Sequence, residues 1–149
     1  MGMDLHSANR LGGIVSLAAL GLCILIFLFR LGGMMLVELW LGILFMSTAL
    51  PFVYLLITAR TFQRPAIYHI QLGAILLFIL MELLLDYIFM IEFRKVRWMT
   101  ILYVIFFFAG TGGLIGIASQ AGKYWSMIAV ILFLLMAFLA FFQRAKTGM

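Results

Sequence analysis

The chain has 149 residues, 67% of them hydrophobic and 10% charged, with a mean hydropathy of +1.26 and a formal net charge of +5. Soluble domains are about 45–50% apolar and about 25% charged, so this composition excludes an ordinary water-facing globule: too few polar side chains remain to cover a core. The Lys and Arg residues stand at the ends of apolar runs, where lipid headgroups and topology account for them better than nucleic acid does.

A helix needs about 20 mostly apolar residues to cross a bilayer. Residues 11–29 supply the first run, which ends at Arg30 and a Leu-Gly-Gly turn. The second covers 33–58, with Glu38 and Trp40 marking its outer boundary and Pro51 inside it. Pro51 removes one ladder bond and clashes with the carbonyl of Ser47, so a kink is expected there, with the Ser47 and Thr48 hydroxyls placed to satisfy freed groups. The third run is 66–93, opened by Pro65 at a position that suits a helix start. The fourth is 97–119 and the fifth 124–142, preceded by Lys123 and followed by a polar tail predicted to fray.

The prediction is therefore an all-α, polytopic transmembrane helical bundle of five spans in a single domain, 1–149. The alternative is four spans plus a re-entrant segment. Backbone groups in lipid must be satisfied within each segment, which leaves helices as the available form. Connections this short make consecutive helices antiparallel neighbours. Five crossings put the termini on opposite sides. The amino-terminal side carries Arg10, Arg60, Arg64 and Lys123; the other carries Arg30, Arg94, Lys95, Arg97, Arg144 and Lys146. That excess points to a carboxy terminus in the cytoplasm and an amino terminus outside the cell membrane.

Small residues mark helix contacts. Gly12, Ser16, Ala19 and Cys23 share one face of the first span, and Gly112 and Gly116 form a G-x-x-x-G in the fourth. Such faces let backbones approach closely, within the chain or in a homo-oligomer. The stretch 110–116 also reads as a loosened helix with Thr111 facing a cavity.

The third run carries the main functional signal. Glu82 falls near its centre, Asp86 lies one turn further on, and Gln71 is on nearly the same face by a 100° step. A charged acid at a helix centre costs about 2.5–3.5 kcal/mol on insertion scales, while a Leu or Ile returns only about 0.3–0.6. Protonating a Glu at pH 7 costs about 3.7 kcal/mol, at about 1.36 per unit from a reference near 4.3. The two costs are similar, so buried anion and neutral acid are both open. Intramembrane acids commonly line ion or substrate paths, and the cation- or proton-binding candidates are Glu82, Asp86, Tyr87, Gln71 and Glu38, with Tyr103 as a further hydrogen-bond donor. Arg30 and Arg94 are the candidate ion-pair partners; Glu92 reads as an interfacial residue.

Against an enzyme, the sequence shows no Ser–His–Asp set and no cofactor fingerprint, and Cys23, His6 and His69 do not form a zinc-like ligand set; no metal and no cofactor are expected. The expected role is a transporter- or channel-like module, or an accessory subunit of a larger membrane complex, with an acidic cation site. The alternatives are a membrane-embedded enzyme acting on a lipid or isoprenoid, and a scaffold whose acids pair with Arg.

Overall fold

The computed structural model describes residues 4–88 and 96–147, apart from the side chains of Asp86, Tyr87 and Thr147. All regular structure among them is helical: α1 (Leu5–Leu31), α2 (Met35–Ser47), α3 (Ala49–Thr58), α4 (Ala66–Glu82) with a π-helical turn over Leu83–Ile88, α5 (Arg97–Ser119) and α6 (Lys123–Thr147). Among the described residues, five helices are long and apolar enough to cross a membrane, with α2 and α3 counting as one interrupted segment.

Hydropathy locates these helices, but local hydrogen bonds set their ends. Helix α1 begins six residues before its apolar run because the Asp4 carboxylate accepts the Ser7 N–H at 2.9 Å, capping an otherwise orphaned donor. Hydrogen bonds from Ser7, first its side chain and then its backbone, hold the Asp4 carboxyl below its usual range. At the other end of the chain, α6 continues through Gln143 to Thr147, so the predicted fraying of the tail is corrected: Arg144 and Lys146 in the last turn complement the helix dipole. Gly33, at φ +73°, supplies the left-handed residue that reverses the chain between α1 and α2.

The break between α2 and α3 falls at Thr48, three residues before Pro51. The Thr48 N–H turns to the Phe45 carbonyl at 3.1 Å. The Ser47 hydroxyl donates to Leu44 O at 2.5 Å and the Thr48 hydroxyl to Phe45 O at 2.6 Å. The side chains thus cover carbonyls six and seven residues upstream of the proline, and not the Ser47 carbonyl that was expected to need them.

Helix α1 lies at the centre, touching α2, α3, α5 and α6, while α4 packs most closely on α5. Half of α1's most apolar window is buried against 17% of that of α6, so α6 forms an outer wall. Close approach at the centre depends on small residues. Ser16 and Ala19 are fully buried and Cys23 nearly so; a Cβ on Gly12 would stand 2.9 Å from Ile117 and one on Gly13 2.8 Å from Trp125. On α5 the contact face is Gly110, Gly113 and Gly116, against Phe78, Ile75 and Gln71 of α4. The predicted G-x-x-x-G pair is corrected at Gly112, which has open space around it. Three-residue spacing, not four, follows the contact with α4. The stretch is also regular helix, with Thr111 donating to Phe107 O at 2.7 Å.

Candidate functional site

At the end of the bundle away from the amino terminus, the helices part around a cavity of about 680 Å³. Cys23, Phe27 and Arg30 of α1, Glu38 and Phe45 of α2, Phe78 and Glu82 of α4, and Tyr103 and Phe107 of α5 line it, with Gln143 of α6 also on its wall. A second, smaller cavity of about 90 Å³ shares Arg30, Tyr103 and Gln143 with the first and extends to Arg144.

The polar groups are held by particular local features. Glu82 is the last α-helical residue of α4 before the π-helical turn, and the Tyr103 hydroxyl, from α5, donates to its Oε1. Arg30 lies in the last turn of α1 and Glu38 in the first turn of α2, so the short turn between them brings the two together: Arg30 Nε donates to Glu38 Oε1 at 2.6 Å, with both side chains 24% exposed. The Arg30 guanidinium also lies 5.8 Å from the centre of the Phe27 ring, a favourable cation–π distance. Gln143 is 3% exposed, far more buried than a residue in a polar tail, because α6 carries it inward.

Aromatic rings form a connected wall. Phe78 meets Phe45, Tyr103 and Phe107 edge-on at 6.0, 6.1 and 5.4 Å between ring centres, and Phe107 meets Phe27 at 6.0 Å. These are the preferred geometries of aromatic pairs. They hold the Tyr103 ring, whose hydroxyl reaches Glu82, against Phe78 and Phe107.

The predicted site residues divide into three groups. Glu82, Glu38 and Arg30 share the cavity, and Arg30 pairs with Glu38. Gln71 stands apart: it packs on Gly116, about 16 Å along α4 from Glu82 at about 1.5 Å per residue, and belongs to the helix contact at the opposite end. Gly12 and Ser16 are buried in that same end, where the Ser16 hydroxyl makes no hydrogen bond among the described residues. Arg94 and Glu92 lie outside the described residues, as do the side chains of Asp86 and Tyr87. The backbone at Asp86 is π-helical. A π-turn closes its hydrogen bonds over one more residue than an α-turn.

Sequence reading did not single out Gln143 or the Phe27, Phe45 and Phe107 rings as site residues. The Arg30–Glu38 pair had a readable signal in a helix-ending Arg and a helix-opening acid across a tight turn. Tyr103 was readable as a further hydrogen-bond donor, but its bond to Glu82, between residues 21 apart on different helices, depends on how α4 and α5 pack. Among the described residues, no group of three His, Cys, Asp or Glu side chains could hold a metal ion.

No family model matches the chain, and no curated protein or solved structure shows detectable similarity to it. Function is therefore argued from this geometry.

Proposed function

We propose that the chain is a small multi-pass integral membrane protein whose inter-helix cavity binds a proton or a cation at Glu82, in a transporter- or channel-like module or as the accessory subunit of a larger membrane assembly. The observation that carries this reading is the Glu82 carboxylate, bonded by Tyr103, on the wall of a cavity large enough to admit water or a ligand. A Tyr donor stabilises an anion, and a charge-assisted bond is roughly twice as strong as a neutral one. Cavity water lowers the cost of keeping the carboxylate at that depth. Ionisable residues inside a membrane span face such cavities and mark transport paths.

Topology supports the same picture. By sequence, six Lys and Arg residues fall on the cavity side of the five spans against four on the other, and in this reading that end and the carboxy terminus face the cytoplasm, with the amino terminus outside the cell membrane. Arg30 and Cys23 of α1, Glu38 of α2 and Tyr103 of α5 face the cavity together with Glu82, so any titration there is read on this set.

Infrared titration in lipid nanodiscs tests the reading. A carboxyl C=O band that appears on acidification and is missing in Glu82→Gln, with the variant still folded, is the expected result. A spectrum identical in both proteins across the titration would remove Glu82 from the function. A scaffold role has one observation in its favour, the Arg30–Glu38 pair that ties α1 to α2; it predicts that Glu82→Gln changes only thermal stability.

A further inference from the structure

Resting on the reading of Glu82 as a cation site, we infer that the cavity takes a lipophilic organic cation, a hydrophobic amine or onium ion dissolved in the bilayer, in preference to a bare metal ion.

Size is the first reason. A bare cation is held by six or so oxygen ligands at about 2.0–2.6 Å, a cage far smaller than this space. Drug-sized molecules occupy pockets of about 300–1,000 Å³, and the cavity measures about 680 Å³.

Wall chemistry is the second. Most of the lining is apolar, and five rings, Phe27, Phe45, Phe78, Tyr103 and Phe107, belong to it. Aromatic rings attract organic ammonium groups through their quadrupoles without requiring the close oxygen contacts of a metal. Two carboxylates, Glu38 and Glu82, and one guanidinium, Arg30, line the same space; Arg30 is paired with Glu38, so the acid in excess, Glu82, gives the polar side of the wall its attraction for positive charge. An apolar body against the rings and a cationic centre directed to Glu82 would satisfy both parts of the lining.

The third reason is the route. Met35, Leu36 and Leu39 of α2 line the cavity and are also exposed on the outer surface, Leu36 at 68% and Met35 at 80%. The rim of the cavity at the start of α2 is therefore apolar and exposed. A hydrated metal ion gains nothing there, whereas an amphiphile already partitioned into the leaflet arrives with its apolar body desolvated.

The test uses the full chain in nanodiscs of zwitterionic lipid, with tetraphenylphosphonium as cation and tetraphenylborate as an anion of closely similar shape. Empty nanodiscs give the partitioning background. Expected is saturable binding of the phosphonium above that background and none of the borate. Glu82→Gln should weaken the phosphonium by about 10- to 100-fold, the range of a lost contact to a charged group. Leu36→Arg, at an exposed site that leaves the core untouched, should weaken it as well by placing a like charge at the rim. Absence of saturable phosphonium binding overturns the inference, as does equal binding of the two probes, or unchanged affinity in both variants. If the Glu82 carboxyl band titrates in the protein that fails to bind phosphonium, the organic-cation inference falls while the proton-site reading stands; if neither is seen, both fall.

Discussion

The two ends of the bundle solve the same packing problem in opposite ways. At the amino-terminal end, Gly12, Gly13, Gly113 and Gly116 bring α1, α4 and α5 into contact closer than any Cβ would permit. Arg64 seals that end: its Nη2 donates to Asn9 Oδ1 and its guanidinium lies 4.4 Å from the Tyr68 ring centre. At the other end Phe27, Tyr103 and Phe107, large residues, stand around a cavity. Small residues thus build the rigid end and large ones the open end. The chain's titratable candidate, Glu82, sits where the packing gives way.

The largest expected effect comes from exchanging these rules on one helix. Gly113→Ala would drive a methyl group into the Gln71 carbonyl, 2.9 Å from the built Cβ, and backbone cannot swing aside as a side chain can. A loss of about 2 kcal/mol is expected in reversible unfolding in detergent. The same substitution one residue earlier, Gly112→Ala, meets nothing within 4 Å and should gain up to about 1 kcal/mol from helix propensity. Shifts of the same sign in the two variants would break the assignment of the close end.

Next in size is the ion pair at the open end. Arg30→Ala leaves Glu38 without its guanidinium in a quarter-exposed position, between the regimes of surface and fully buried pairs, and about 1–2 kcal/mol should be lost. Adding Glu38→Gln to it should recover most of that loss, since the remaining charge is then gone. Failure to recover would mean that Arg30 acts through its contact with Phe27 instead.

The smallest effect is at Asp4, on the close end. Its carboxyl is held below its ordinary value of 3.8 by Ser7, so the cap stabilises α1 above that value and is lost as pH falls through the lowered one. The amide resonance of Ser7 should shift in that acid range, and Asp4→Asn should remove the transition. A Ser7 amide that titrates at the ordinary Asp value would show the cap to be absent in solution.

Much of the fold was readable because hydropathy and helix length depend on one span at a time. The five segments and the interruption near Pro51 follow from composition and from the missing proline N–H. What depends on contact between segments was not readable. A 100° step places Gly112 and Gly116 on one face, but only the position of α4 decides that Gly110, Gly113 and Gly116 carry the contact. Glu82 could be singled out as an acid in an apolar run, while its partner Tyr103 belongs to another helix. Gln71 shares Glu82's face on paper and its neighbours at the far end in space, because a helix face is as long as the molecule.

The π-helical turn at Leu83–Ile88 sits directly after the acid at the cavity wall. A widened loop of this kind holds one residue more than the regular ladder needs. Trimming a single residue from it would let α4 run on as plain α-helix and swivel everything downstream by about 100°, leaving Glu82 in place while re-aiming the chain that follows. The facing of the residues that follow Glu82 is therefore set by chain length as well as by side-chain identity, with no exchange of side chains at the cavity wall.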